Sequence, residues 1–421
     1  MSKNSSEYRY VMMFKSVVDQ ELLPNDFDVW TIKEQCIWIN KNIPTFFPNT
    51  PKSALHLMPA FCRLTNCKRS LVETPEWLDI DKYRKGQKFV RENYTSIMIG
   101  TVLGTLLLYT FEEDLNPLII TKRSITPYLA LKRYFSNLQR FSSWYSGEPW
   151  IEGTQAYRDM QYTCKMHFLV QAKLSKLDDN QFESEAEIVK PWCPDHELLL
   201  KDFAAVCPFN PQSSYQMINK TPYKLKNLNN ANMALTQCFF LSVVLLWPQN
   251  IGIHNATNEE IEAFCHMWRC YGYFLGIEDE YNICRGNLEE IKDRTRDLYE
   301  LMSSNFNNIT PKWEHMTRCF IESLNYYPLL YMPYKMVVVF TMDAINISMP
   351  HLYASMSYAE WITYKISRFF FRYAFKFSII RSIINKVINK IFDKVMNFNP
   401  EKKAELQEKS KQQLLKFSMK H

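Results

Sequence analysis

Nine glycines in a chain of 421 residues are too few for a set of tight β-hairpins or for a glycine-rich phosphate cradle. Long stretches instead place apolar residues three and four positions apart, which puts them on one face of a helix. An all-α chain is therefore expected. At this length it can remain one large helical domain with terminal extensions, and its core is large enough to enclose a cofactor.

Charge and cysteine usage narrow the function classes. Fifty Lys and Arg stand against 44 Asp and Glu, a net +6, with both signs mixed along most of the chain rather than gathered into a basic footprint, so nucleic acid is not an expected partner. The eleven cysteines are odd in number and scattered, with no CxxC pair, which points to a reducing, intracellular compartment rather than a disulfide framework. The opening MSKNSSEYRY lacks the apolar core of a secretory signal. No GxSxG elbow, HExxH pair, Walker loop or dinucleotide fingerprint occurs, which removes the usual support for hydrolase, protease and nucleotide-dependent readings.

Three regions follow from the pattern. Residues 1–78, interrupted by Pro48, Pro51 and Pro59, read as an arm of short helices and loops wrapped on the body. Residues 79–345 read as the helical domain that carries the chemistry, and 346–421 as a C-terminal extension. The two most apolar runs, Ile97 to Phe111 and Met233 to Trp247, fall short of the roughly 20 residues a helix needs to cross a bilayer. The first reads as a buried helix ahead of a marginal membrane segment, with Gly100 and Gly104 allowing another helix to cross closely. The stretch 178–228 reads as loops with short helices.

Two helices carry candidate site residues. Thr126 caps a helix with Pro127 in its first position, and along it Arg133 and Asn137 stand one turn apart on a shared face. The next helix, capped by Thr154, places Tyr157, Met160, Cys164 and His167 at offsets of three, four and three, one apolar face ending in an imidazole. A lone histidine facing an apolar interior is what a haem iron takes as an axial ligand, although taken alone such a residue is more often packed core. A third helix begins at Thr257 or Asn258 with Glu259 and Glu260 in its first turn and carries His266, Trp268, Gly272 and Gly276.

The blocks TKRSITPYLALKRY, the CKMH that ends at His167, MALTQ from Met233 and HMWRCYGYFLGIEDEYN from His266 resemble the rubber oxygenase family, also called latex clearing proteins, in its animal branch. The resemblance spans roughly Asp79 to Gly286. It implies an all-α domain with a globin-like core, haem b as cofactor, His167 as the iron ligand and Arg133 in the distal pocket. Asn137 stands where the family commonly has threonine, and Ser136 where some rubber-cleaving members have lysine; both depart from the polymer-cleaving pattern while leaving haem binding intact.

On that reading the protein supplies an iron ligand, a water-poor pocket and distal polar groups, and the cofactor supplies the oxygen chemistry. Arg133 and Asn137 are the catalytic candidates, donating hydrogen bonds to charge that develops on dioxygen. His167 is the metal ligand, and Met160, Cys164 and His266 complete the cofactor-binding set, with His266 a competitor for the iron or a packing residue. The spacing of Cys265, His266, Cys270 and Cys284 does not match the usual zinc pairs.

From Lys365 to Lys394 aromatics and isoleucines alternate with eight basic residues against one acid, Asp393, as in a helix that lies on an anionic membrane surface or packs on the body with a solvated basic face. The tail after Pro400 reads as a frayed, exposed helix. The expected function is a haem b-dependent oxygenase that combines dioxygen with an apolar, unsaturated isoprenoid or lipid, peripheral to the cytoplasmic face of a membrane such as the endoplasmic reticulum. The alternative is a non-catalytic haem or lipid carrier on the same scaffold.

Overall fold

Local capping chemistry explains most of the helix starts in the computed structural model, which describes residues 5–206, 228–327 and 329–418. Thr31, Asp178, Thr257, Asn287 and Ser357 each close a reciprocal capping box with a Glu or Gln three residues on. Thr126 and Thr154 cap the two helices that carry the candidate site, accepting from the amides of Leu129 and Tyr157.

Nineteen α-helices lie among the described residues, with no strand. The first three are α1 (Ser6–Lys15), α2 (Ile32–Phe46) and α3 (Lys52–Leu57). The central set is α4 (Ile80–Glu92), α5 (Tyr94–Leu108), α6 (Glu112–Ile120), α7 (Pro127–Ser146), α8 (Gln155–Leu174), α9 (Asp179–Glu185), α10 (His196–Val206), α11 (Asn230–Leu246) and α12 (Asn258–Phe274). There follow α13 (Leu288–Asn305), α14 (Pro311–Leu324), α15 (Tyr334–Ala344), α16 (Pro350–Ala354), α17 (Tyr358–Arg372), α18 (Ser378–Met396) and α19 (Pro400–Ser418). Of the stretch read as loops with short helices, α9 and α10 are seen and 207–227 lies outside the described residues.

The most extensive helix contacts are α4 with α12 and α5 with α11, and each crossing is set by a glycine. A Cβ at Gly86 would overlap the carbonyl of Ala263, and one at Gly104 would overlap the carbonyl of Phe239. The backbones meet at these points, so the apolar runs that begin at Ile97 and Met233 are core helices packed on each other. No single helix among the described residues is long and apolar enough to cross a membrane; α5 and α6 together pass by length and composition but bend by 98° at their junction.

Three expectations change. Tyr10, Phe14, Phe27 and Ile39 belong to the same continuous core as Trp313 and Tyr364, so the N-terminal helices are part of the domain rather than an arm laid over it. The basic C-terminal stretch is two helices, not one. Buried Phe375 seats on Gly252, whose φ of +90° and missing side chain admit the ring, and drawing Ala374 and Phe375 inward breaks the helix. The tail is docked rather than frayed: Leu406 is buried, Ser410 Oγ accepts from the amide of Tyr128 at 3.1 Å, and Tyr326 donates to Gln413 at 2.7 Å.

Candidate functional site

His167 lies in the fourth turn of α8; the residue is half-buried, with its Nδ1 sealed from solvent and without a hydrogen-bond partner. Burial, reinforced by the Arg133 guanidinium on α7, lowers its pKa to about 4, so the imidazole is neutral at physiological pH. A neutral imidazole with a free lone pair is the form that binds a metal. Its two helical neighbours are spoken for: Met160 is fully buried core, and Cys164 donates its thiol to the carbonyl of Phe274 at 3.3 Å, its pKa pushed up to about 12 by burial.

Arg133 stands where the helix faces converge. Its nearest hydrogen-bonding group is the hydroxyl of Ser124, at 3.5 Å from Nη1, and its guanidinium lies 6.0 Å from the centroid of the Tyr134 ring. No carboxylate pairs with it among the described residues. Desolvation lowers its pKa, and its charge acts on both His167 and the phenol of Tyr109 at the end of α5. The Tyr109 hydroxyl is itself buried without a partner and its pKa is raised by burial.

Along α7, Arg133, Asn137 and Phe141 recur at four-residue steps, and Phe141 meets Phe240 of α11 and Trp268 of α12 at 5.8 Å each. On α11 nearly every residue is sealed, yet Thr236 and Phe240, one turn apart, stay half-buried, which marks open space beside that face. Around it Asn232 Nδ2 and Trp268 Nε1 are buried donors with no acceptor, and Tyr134 OH, whose ring packs on Phe320 of α14, is another on α7. Nearby on α6, burial, with Glu113 adding to it, holds the Asp114 carboxyl well above the usual carboxylate range, and the Asn232 side chain opposes the shift. Buried polar atoms are normally satisfied, so donors left without acceptors around a half-open aromatic wall describe a place built for something else. The open groove of about 780 Å³ between α7 and α18 is lined from α7 by Ser136, Gln139 and Ser143, not by Arg133 or Asn137.

The other candidates are placed differently. Asn137 Oδ1 accepts from Arg140 at 3.5 Å, and Arg140 in turn stacks over Tyr162, so the amide is turned along its own helix rather than toward Arg133. His266 is not brought to the site: Nε2 accepts from the amide of Asp79 at 3.1 Å, and its ring meets the edge of Trp77. It lies on the outer stripe of α12 with Glu262, Arg269 and Tyr273, whereas Trp268, two residues or about 200° further round, faces Phe240. Gly272 packs against the amides of Gln237 and Asn282, and Gly276, with φ +95°, ends α12 in a left-handed turn. Among the described residues no group of three or more His, Cys, Asp or Glu is arranged to hold a metal ion.

Tyr109, Ser124 and Tyr134 join the site without having been singled out in the sequence. Tyr109 sits inside an apolar run, where one hydroxyl carries no periodic signal. Comparison of the chain with protein-family models, with curated proteins and with solved structures returns no match.

Proposed function

We propose that the chain holds haem b in the interior beside α7, α8 and α11 and acts as an oxygenase on an apolar, unsaturated substrate of isoprenoid or lipid type, within a reducing compartment. The observation that carries this reading is the pairing of a neutral His167, whose Nδ1 is sealed and unpartnered, with an Arg133 that has no acidic partner among the described residues. The unpartnered Nδ1 of His167 fits the group and would ligate the iron, Arg133 would set a fixed positive charge against a propionate, and the mutually packed rings of Phe141, Phe240 and Trp268 would border the porphyrin. The resemblance of four sequence blocks to the rubber oxygenase family supports the same assignment.

When bound, haem b supplies oxygen activation; the protein does the rest. Burial keeps His167 unprotonated, so no proton competes for the ligating nitrogen above about pH 4. Burial keeps the Tyr109 hydroxyl protonated and available as a donor, the Tyr134 hydroxyl is likewise buried without a partner, and the aromatic wall would exclude water from an alkene.

One observation favours the second reading, a haem or lipid carrier without catalysis: Asn137 Oδ1 accepts from Arg140, which holds the amide along α7 rather than beside Arg133. Optical spectra of the purified protein, ferric and ferrous, with and without hemin, test the cofactor. A Soret band that shifts from that of free hemin supports both readings, and dioxygen uptake with a polyprenyl alkene then selects the oxygenase. A colourless protein that leaves the hemin spectrum unchanged ends both.

A further inference from the structure

Two helices near the C-terminus are apolar on both faces. The inner faces are already used. On α17, Tyr364 is buried, Phe371 packs on Phe340 at 5.5 Å, and Arg368 and Arg372 reach Asp343 at 3.3 and 3.1 Å. On α18, Ile391 and Val395 are buried, and Asn385 Oδ1 accepts from the amide and hydroxyl of Thr95 at 2.9 and 2.7 Å.

The outer faces nevertheless present Phe369 (57% exposed), Tyr373 (57%), Phe377 (65%), Ile379 (74%) and Ile383 (55%) to solvent. Single exposed apolar residues are ordinary, but a row of five along two successive docked helices marks an interaction surface. The same surface carries Lys376, Lys386, Lys390 and Lys394, none of which makes an ion pair among the described residues, and Asp393 is the one acid between 365 and 394.

The charge decides what covers this surface. A second copy meeting it face to face would bring the same lysines against each other with almost no acid to answer them. An anionic lipid surface answers every cation, admits aromatic and isoleucine side chains to the headgroup boundary and lets lysine stems reach sideways to phosphate. We propose that the outer side of α17 and α18 docks on an anionic lipid bilayer, with the five apolar side chains entering the interface and the lysines binding lipid headgroups. The proposal goes beyond the haem reading and does not depend on what the interior holds.

Flotation of the full-length protein with vesicles tests it. The protein floats with vesicles of phosphatidylcholine and phosphatidylserine in equal parts, stays below with phosphatidylcholine alone, and is released by raised salt. Lys386→Gln with Lys390→Gln lowers partition by roughly thirtyfold, about a factor of five for each lysine near the surface. Phe369→Ser with Ile383→Ser lowers it by roughly tenfold or more; all four positions are exposed, and an unchanged circular dichroism spectrum shows that the fold persists. Failure to float with anionic vesicles overturns the proposal. So does flotation that none of these substitutions weakens, or a dimer in solution that Phe369→Ser with Ile383→Ser dissociates while vesicle binding is absent.

Discussion

Arg318 is buried and Arg133 half-buried, and their surroundings are opposite. Arg318 on α14 donates to Asp195 at 2.7 Å and to Glu314 at 2.6 Å, and its guanidinium lies 3.7 Å from the centre of the Tyr334 ring. Lys335 adds a second cation to Asp195 at 3.3 Å. Arg133 has a serine hydroxyl at 3.5 Å and a neutral, half-buried histidine as neighbour. In the first arrangement the charges are balanced within the chain, although Arg318 Nε and Glu314 Oε2 find no hydrogen-bond partner, and it serves the fold. The second has no anionic partner among the described residues and is only half-buried, so its charge stands unanswered at little cost to the fold and remains open to an anionic ligand.

The largest expected effect breaks the complete side of that contrast. Arg318→Met strands the fully buried Glu314 and leaves Asp195 with Lys335 alone, and costs about 3–5 kcal/mol in denaturant unfolding. Burial already raises the Glu314 pKa against the pull of Arg318, and without the arginine the carboxyl takes up a proton. A loss below about 1 kcal/mol would remove the distinction between the two arginines.

Arg133→Met probes the incomplete side. It removes a charge that no acid answers, so unfolding stability changes by at most about 1 kcal/mol in either direction, while hemin affinity falls by roughly tenfold, as expected for the loss of one charge-assisted contact. A loss as large as that of Arg318→Met would show that Arg133 is structural.

The smallest effect is a pH slope. The folded pKa of His167 is depressed to about 4 from 6.5, so the unfolded chain binds the proton first and stability is lost as pH falls from about 6.5 toward 4. His266, also near 4, contributes over the same window, and His167→Gln therefore lowers the slope of stability against pH there without abolishing it. An unchanged slope would place the His167 ring in contact with water.

What the sequence revealed is what local chemistry controls. Thr126 before Pro127, Thr154, and Thr257 with Glu260 announce helix starts because a cap needs only its own first turn. Gly104 announces a close crossing because a missing side chain inside an apolar helix has few other uses. The break at Ala374 to Lys376 was hidden, since it depends on Gly252 accepting the Phe375 ring, and so was the docking of the tail, since it depends on Ser410 meeting Tyr128. The candidate site was half legible. His167 and Arg133 could each be chosen from a helix face, but the approach of Arg133 to both His167 and Tyr109 is tertiary, and periodicity alone could not tell the inner side of α12, where Trp268 lies, from the outer side that carries His266.

The most direct measurement is a hemin titration of the wild type, His167→Ala and His266→Ala, followed by absorbance in the ferric and ferrous states. A saturable Soret shift in the wild type and in His266→Ala that is lost in His167→Ala, with its circular dichroism intact, is the result predicted here. An unaltered shift in His167→Ala, or no shift in any of the three, contradicts the assignment of His167 as the ligand of a bound haem.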